Sequence, residues 1–320
     1  MEFRTEVSPE KACEGLIDHC RPVLLIGSCF TDNIGACMRD DLFDVMVNPF
    51  GPIYNPASLR LALSVIAECA PVPQSALFLH EGRYHSHLFH SRYSGNSCES
   101  TAQIMKRQIE LARQALVEAS VMIVTLGTTR AFSLRENGIV VANCHKLPSS
   151  AFKEETLSLS QCISSLTSMV DTARSVNPDI TVIFTVSPLR YLGQGAHVNA
   201  LSKSTLLLAV DSVMSSRQGV GYFPSFEIMM DDLRDYRFYA DDMKHPTQQA
   251  VRYIYEIFSS TYFSPATRDL AMQSRKLTRR LAHRQMGGTP TDDTAKIIEE
   301  LTTANPLLAP IIDRYISNGL

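Results

Sequence analysis

Short, continuous apolar runs alternate with longer amphipathic segments along the first 260 or so residues of the chain. The runs are rich in β-branched residues and show no polar alternation: "PVLLIG" (22–27), "DVMVN" (44–48), "VMIVTLG" (121–127) and "ITVIFTVSP" (180–188). Strands that are buried on both faces have this pattern. The four runs are therefore predicted to be core strands of a parallel sheet.

Helical periodicity fills the intervals between the predicted strands. The predicted helices cover residues 33–44, 57–69, 101–119, 158–176, 199–217 and 246–263. Such alternation is typical of α/β folds in which helices cover both faces of a parallel sheet. The pattern then becomes purely helical. The sequence thus predicts an α/β domain over residues 1–263 and a C-terminal helical extension over residues 264–320.

Composition and charge limit the kinds of binding partner and the cellular compartment that we expect for this protein. Lys and Arg number 30 and Asp and Glu number 33, a net charge of −3, so no global field favours nucleic acid or an anionic membrane. The N-terminal segment lacks the order of a signal peptide, and no apolar run approaches the roughly 20 residues that span a bilayer. The eight cysteines form no CxxC pair and no metal-ligand spacing. These features predict a cytoplasmic protein with reduced thiols, no metal, and a small molecule or another protein as its partner. They leave the oligomeric state open.

The first predicted strand ends in "GSCFT", where Gly27 permits a tight bend before a helix. A Ser or Cys at such a bend is exposed to substrate. Its own N–H and the helix N-terminus then lie close to any oxyanion that forms. Ser28 and Cys29 are both candidate nucleophiles. Alternatively, Ser28 or Thr31 caps the helix and Cys29 fills space in the core.

A second candidate group lies near the end of the α/β part, in "YADDMKHPT". Asp242 stands three residues before His245, just ahead of a predicted helix. A turn of this length brings the carboxylate back to one imidazole nitrogen, fixes the tautomer and leaves the other nitrogen to face a nucleophile. Asp241 is the alternative partner. In the simpler interpretation, Asp242 and His245 only cap the helix.

Seven motifs follow one another in a characteristic order. They are "IGSCFTDNIG", "NPFGPIYNP", "TLGTTRAF", "VANCHKLP", "FTVSPLRYL", "NALSKSTL" and "YFPSFEIMMDDLRDYRFYADDMKHPT". In these motifs the first 260 or so residues resemble the GSCFA domain family, which is similar to the SGNH (GDSL-type) hydrolases. The resemblance implies a flavodoxin-like three-layer sandwich around a parallel sheet. It also implies hydrolysis or acyl transfer, without a cofactor, on an acyl ester or thioester of a small molecule or glycan.

The resemblance gives roles to the two candidate groups. The block "IGSCFT" falls on the "GDSL" block, with Gly27 on its Gly, Ser28 on its Asp and Cys29 on its nucleophile. Asp242 and His245 match the DxxH motif, which supplies the orienting carboxylate and the general base. The leading interpretation is therefore that Cys29, or else Ser28, attacks an acyl carbonyl with the help of His245.

The resemblance also indicates the oxyanion donors, and here the sequence departs from the family's relatives. Gly51 matches the Gly after the second strand, and Thr129 stands where the SGNH hydrolases have Asn. A thiolate attacks thioesters and activated acyl groups well, whereas a Thr hydroxyl is shorter than an Asn amide. These departures leave open acyl transfer, a thioester intermediate, and a catalytically inactive module that binds a carbohydrate or acyl compound.

Four residues are candidates to bind substrate. Asn55 in "NPFGPIYNP" and Arg190 in "SPLRY" follow predicted strands, and His85 lies in the loop "HEGRYHSHLFHSRYS". His145 in "NCHKLP" is a candidate because this motif belongs to the signature of the family that the chain resembles. Asn48 and Asn55 either bind substrate or form turns and caps. The histidines lack the spacing of a helical metal motif. Arg190 and Lys203 are candidates to clamp an anionic group of the substrate.

Overall fold

The computed structural model describes residues 4–9, 13–284 and 292–317. The strands in these ranges are β1 (Val23–Gly27), β2 (Val45–Val47), β3 (Leu77–His80), β4 (Arg83–Ser86), β5 (Val121–Leu126), β6 (Arg130–Leu134), β7 (Val140–Val141), β8 (Phe152–Thr156), β9 (Thr181–Val186) and β10 (Val220–Phe223). The α-helices are α1 (Cys29–Asp40), α2 (Pro56–Glu68), α3 (Cys98–Glu118), α4 (Leu159–Val176), α5 (Ala196–Ser216), α6 (Ser225–Glu227), α7 (Gln248–Tyr262), α8 (Pro265–Arg284), α9 (Asp292–Ala304) and α10 (Ala309–Ser317). A π-helical turn over Ile228–Asp232 follows α6.

Five of the described strands form a parallel sheet in the order β10-β9-β5-β1-β2. Counted along the chain, this order is 2-1-3-4-5, the order of flavodoxin-like doubly wound folds. The prediction of a three-layer α/β fold with a parallel sheet and a helical C-terminal region is confirmed. The strand β10 at the edge of the sheet was not among the predicted strands.

Alternate residues of the central strands face the two helical layers. Val23 and Leu25 pack with α1 and α7, through residues such as Phe30 and Ile254. Leu24 and its alternate neighbours pack on the other side, against α2, α3, α4 and α5. Both faces of the sheet are therefore covered, which explains why the predicted strands read as continuous apolar runs.

The helices α1 and α7 run in the same direction along one face of the sheet. The first begins at the carboxyl end of β1, four residues earlier than the sequence predicts. The second ends beside the opposite edge. There the ring centroids of Phe263 and Phe43 lie 4.7 Å apart, and Phe43 stands two residues before β2. Both helices thus begin at the carboxyl edge of the sheet, where ligands bind in folds of this kind.

Two antiparallel excursions extend the loops of the sheet. One is the hairpin of β3 and β4, and the other is a sheet in which β6 lies between β7 and β8. Neither was predicted, because their strands are short and only partly buried. Along the chain, the hairpin lies between β2 and β5, and the three-stranded sheet lies between β5 and β9.

The C-terminal helices pack against the far end of α1. Leu42 is fully buried among residues of α8, α9 and α10 and of the adjoining turn, including Leu277 and Leu301. Arg275 donates to both carboxylate oxygens of Asp41 at 2.6 Å. None of the helices that the structure describes has the length and apolar character needed to cross a membrane.

Candidate functional site

Ser28 and Cys29 lie at the bend between β1 and α1 but differ in environment. Ser28 is 1% exposed and is the N-cap of α1, where its Oγ accepts the N–H of Phe30 at 3.4 Å. Its own N–H donates to the carbonyl oxygen of Thr125 at 3.0 Å. Cys29 is the first residue of α1 and is only partly buried. Of the two candidate nucleophiles, Cys29 is the more accessible.

Several groups act on the Cys29 thiol. Burial raises its pKa, and the carboxylate of Asp32, one turn further along α1, raises it too. The N–H groups of Cys29 and Phe30 and the positive charge of Lys203 lower it, but the net shift is upward. The thiol is therefore protonated at neutral pH, and a nucleophilic role requires a base.

Asn48 joins the end of β1 to the first turn of α1. Its Oδ1 accepts the N–H of Gly27 at 2.9 Å, and its Nδ2 donates to Asp32 Oδ1 at 2.9 Å. Its backbone adopts a φ of +44°, a left-handed conformation that Asn tolerates better than most residues. Asn48 thus supports the bend instead of presenting its amide to a ligand.

The predicted oxyanion donors are both engaged inside the protein. The N–H of Gly51 donates to the carbonyl oxygen of Asn48 at 2.8 Å. Thr129 is 1% exposed, and its N–H and hydroxyl donate to Ser202 Oγ at 2.8 and 3.1 Å. Either residue must exchange its partner before it donates to a substrate.

Asp242 and His245 form the pair that their spacing predicts. Asp242 Oδ2 lies 2.5 Å from His245 Nδ1, while its Oδ1 accepts the N–H groups of Lys244 at 2.9 Å and His245 at 3.0 Å. The backbone and side-chain hydrogen bonds of His245 hold the pKa of this carboxyl well below its usual range. A charged carboxylate only accepts hydrogen bonds, so Nδ1 carries the proton and Nε2 is the unprotonated nitrogen. The side chain of His245 is 50% exposed.

The loop after β9 holds this pair at the carboxyl edge of the sheet. Arg190 donates its N–H to the carbonyl oxygen of Lys244 at 3.1 Å, and an isolated antiparallel bridge joins Tyr239 to Pro246. The next helix, α7, begins at the same edge as α1. Among the described residues no hydrogen bond joins His245 to Cys29. Arg190 thus ties the Asp242–His245 pair to the loop after β9, and that His245 acts on Cys29 stays a prediction.

The predicted substrate-binding residues Asn55, His85 and His145 are buried. Asn55 caps α2, with Oδ1 accepting the N–H of Ser58 at 2.9 Å and Nδ2 donating to its Oγ at 3.0 Å. The rings of His85 and His145 lie 4.7 Å apart, and His145 Nε2 lies 2.8 Å from the carbonyl oxygen of Ser86. Their role in substrate binding stays a prediction, as does that of Arg190.

The histidines near the β3–β4 hairpin form a cluster. Besides His85 and His145, it includes His87, whose ring stacks on Phe78 at 4.3 Å. Burial lowers the pKa of His145 to about 4 and lowers that of His85 and His87. Within the described ranges, no group of three or more His, Cys, Asp or Glu side chains is arranged to hold a metal ion.

Three further residues lie around Cys29 that the sequence analysis did not place there. The rings of Tyr54 and Tyr191 pack edge to face at 5.6 Å, and burial, with a smaller effect of Cys29, raises the pKa of both hydroxyls. Lys203 is 1% exposed and does not present its ammonium to solvent as a clamp would. The sequence marks Lys203, in the motif "NALSKSTL", as a candidate clamp, but nothing in that motif indicates a buried lysine near Cys29.

Comparison with known proteins gives a family and two solved structures. The model of the GSCFA family matches residues 22–258. An acetyl xylan esterase (Est2A) from the rumen bacterium Butyrivibrio proteoclasticus is 9% identical with a TM-score of 0.39, over 75% of this chain and 63% of that chain. The chain thus spans less than two thirds of that enzyme's length. A carbohydrate esterase family 3 protein from Talaromyces cellulolyticus is 14% identical with a TM-score of 0.33, over 74% of this chain and 94% of that chain. No curated protein gives a significant match.

Proposed function

The chain belongs to the GSCFA family, and from this premise we propose that it is an SGNH-like hydrolase or acyltransferase in which Cys29 attacks an acyl ester or thioester. The observation that carries the proposal is the Asp242–His245 pair, joined at 2.5 Å just before α7. This helix begins at the same sheet edge as α1, whose first residue is Cys29. A nucleophile and an oriented base at one edge are the parts that covalent acyl transfer needs.

The proposed reaction begins when His245 Nε2 takes the proton of the Cys29 thiol. The thiolate attacks the acyl carbonyl, and the tetrahedral intermediate collapses as His245 returns the proton to the leaving alcohol or thiol. The product is a thioester on Cys29, which water or an acceptor hydroxyl then resolves by the same steps. Asp242 stabilises the imidazolium that forms twice in each cycle.

The N–H of Cys29 is the first donor to the oxyanion in this proposal. It lies in the first turn of α1, where the helix dipole also favours negative charge. Gly51 and Thr129 are the second and third donors by their match to the family motif. Each gives up its present bond, to Asn48 or to Ser202, when the carbonyl oxygen of the substrate arrives.

Cys29 is favoured over Ser28 because Ser28 already serves as the cap of α1 and is 1% exposed. A hydroxyl that turned outward would leave the helix uncapped, at a cost of about 1 kcal/mol. The thiol of Cys29 pays no such cost, and a thiol needs less activation than a hydroxyl.

We propose a small-molecule or glycan acyl compound as the substrate and the cytoplasm as the compartment. All eight cysteines lie in the described ranges, and each is a free thiol. Reduced thiols are usual in the cytoplasm, and a thiol nucleophile depends on them.

A second candidate function is a binding module that holds a carbohydrate or acyl ligand without turnover. Two observations favour it: burial and Asp32 raise the pKa of the Cys29 thiol, and the N–H groups of Gly51 and Thr129 are already bonded. In this alternative the same edge of the sheet binds its ligand, and no acyl group reaches Cys29.

The test is formation of an acyl-enzyme with a panel of activated esters and thioesters, followed by mass spectrometry of the intact protein. We expect an adduct in the wild type and in Ser28→Ala, and none in Cys29→Ala. The His245→Ala variant is expected to acylate about 10²- to 10⁴-fold more slowly. Cys37→Ala is the matched control, because Cys37 is a partly buried thiol on the same helix.

The outcomes separate the candidates. Adduct in Cys29→Ala with its loss in Ser28→Ala assigns the nucleophile to Ser28 and contradicts the proposal. Saturable thermal stabilisation by an acyl compound, with no adduct and no turnover, supports the binding module instead.

A further inference from the structure

A buried lysine lies between the ends of two central strands. Lys203, on α5, donates from Nζ to the carbonyl oxygen of Gly127 at 2.8 Å and to that of Ser187 at 2.7 Å. These carbonyls directly follow β5 and β9. No carboxylate pairs with this lysine among the described residues. Burying a charged ammonium without a counter-ion is costly, and hydrogen bonds to two carbonyl oxygens offset only part of that cost.

The register of the sheet brings the strand end that binds Lys203 to the same edge as the start of α1, and Lys203 and Cys29 interact electrostatically. Gly27 pairs with Thr125 across β1 and β5, and Cys29 and Gly127 each lie two residues beyond that pair. The N–H of Ser28 also donates to the carbonyl oxygen of Thr125. The carbonyl that binds Lys203 and the first turn of α1 are therefore neighbours at the same sheet edge.

We propose that Lys203 is a positioning residue for Cys29: its ammonium joins the ends of β5 and β9 and holds a positive charge beside the sulfur, which stabilises the thiolate. This inference rests on the proposed function, because it concerns the activation of the same thiol. Lys203 acts through Cys29 and does not itself touch the substrate.

The charges around this pair agree with that role. Cys29 is the titratable group that faces Lys203, and the thiolate raises the pKa of the lysine while burial lowers it to about 7. The groups that face Cys29 are Asp32 on the same helix, Lys203, and the hydroxyls of Tyr54 and Tyr191. Of these, Lys203 is the cation.

The test is the pH dependence of Cys29 alkylation by iodoacetamide, followed by mass spectrometry of the Cys29 peptide. The rate reports the thiolate fraction and requires no turnover. With a charged lysine nearby, the logarithm of the alkylation rate rises with pH below about pH 7. It flattens as Lys203 loses its proton, because the pKa of the thiol then increases, and it rises again at higher pH. We expect this flattened interval, here called the step, in the wild type and a single continuous rise in Lys203→Met. At pH 6, Lys203→Met is expected to react on the order of tenfold more slowly, the effect of one pKa unit.

Two control variants identify the source of the step. His245→Asn removes the general base of the proposed reaction but not the charge of Lys203, and it is expected to keep the step. Ser202→Ala loses the bonds to Thr129 but keeps the charge of Lys203, and it is also expected to keep the step.

The proposal is overturned if Lys203→Met keeps the step, or if Ser202→Ala loses it as well, because the cause is then structural. Absence of the step in His245→Asn overturns it without any Lys203 variant, even when Lys203→Met does not fold. The proposed function is tested separately. It fails if no acyl-enzyme forms, even when the alkylation of Cys29 in the same protein still shows the step.

Discussion

Residues that are adjacent in sequence have opposite environments at the start of α1. Ser28 is buried and caps the helix, whereas Cys29 is partly exposed and is influenced by Asp32 and Lys203. The sequence left both residues as candidate nucleophiles, because the direction of a side chain at a strand-to-helix bend depends on which residue becomes the cap. That choice depends on the backbone geometry after Gly27, which no local pattern of residue types specifies.

The conformation of Gly51 leads to a first prediction at the residue scale. Its φ is +91°, and a Cβ placed there would lie 2.2 Å from the Cβ of His90. Gly138 has a φ of +74° but open space around it. Gly138→Ala is therefore expected to cost about 1 kcal/mol from backbone strain alone, and Gly51→Ala at least about 2 kcal/mol more, because the loop must also move. Urea denaturation measures both values.

The comparison of these two glycines isolates the contact with His90. Equal losses of stability in Gly51→Ala and Gly138→Ala would contradict the prediction. A large loss in Gly51→Ala is expected together with slower acylation of Cys29, since Gly51 is also a proposed oxyanion donor.

At the scale of elements, local patterns predicted the continuously apolar strands and missed those of mixed composition. The strands β1, β5 and β9 lie within predicted runs because a strand buried on both faces is apolar throughout. The strand β2 is only half-buried, but its three residues are all apolar, so it was predicted as well. The edge strand β10 was missed: only its last residue is buried, and Gly221 interrupts its apolar run.

In the candidate site, too, a contact between residues close in sequence was predicted and a contact between distant residues was missed. The Asp242–His245 contact spans three residues, so its spacing was sufficient to predict it. The bond from Lys203 to Gly127 spans 76 residues and exists only because α5 lies across the end of β5. Contacts of this kind depend on how elements pack, and a single sequence contains no local signal for them.

The histidine cluster at the β3–β4 hairpin leads to a prediction about pH. The folded pKa of His145, about 4, lies below its usual value, so the unfolded chain binds the proton more tightly. The stability that neutral His145 contributes is therefore fully present above about pH 6.5 and is lost progressively as the pH falls toward 4. We expect the melting temperature to fall by several degrees between pH 7 and pH 5, as measured by circular dichroism.

The contribution of His145 is separated by substitution. In His145→Asn, which tolerates the left-handed backbone at this position, the fall between pH 7 and pH 5 is expected to be smaller. His197→Asn is the control, because His197 is exposed and lies outside the cluster. A fall in His145→Asn equal to that of the wild type would refute the assignment to this residue.

At the scale of the whole molecule, the candidate site and the C-terminal helices contact opposite ends of α1. Cys29 is its first residue, whereas Asp41 and Leu42 follow its last and pack against α8 to α10. Asp41 is 1% exposed and also accepts the hydroxyl of Tyr255 at 2.8 Å, besides the two bonds from Arg275. Arg275 on α8 therefore binds a buried carboxylate at the end of α1.

This ion pair gives a whole-molecule prediction. Arg275→Met leaves the Asp41 carboxylate buried without its cation and is expected to cost about 3 kcal/mol of unfolding free energy. Adding Asp41→Asn removes the uncompensated charge while keeping an acceptor for Tyr255, so the double variant is expected to regain more than half of that loss. A double-mutant cycle by urea denaturation measures the coupling, and additive effects of the two substitutions would argue against a direct pair.

Truncation after Phe263 tests the proposed division of the chain into residues 1–263 and 264–320. It removes Arg275 together with the residues that bury Leu42, but leaves Asp242, His245 and Cys29 at the other edge of the sheet. We therefore expect a folded core with a lower melting temperature and an unchanged pH profile of Cys29 alkylation. Asp41→Asn in the truncated chain is expected to raise the melting temperature, because the carboxylate has lost its cation, whereas in the full-length chain the same substitution lowers it. A truncated chain that aggregates both with and without Asp41→Asn would show that the C-terminal helices are part of the core.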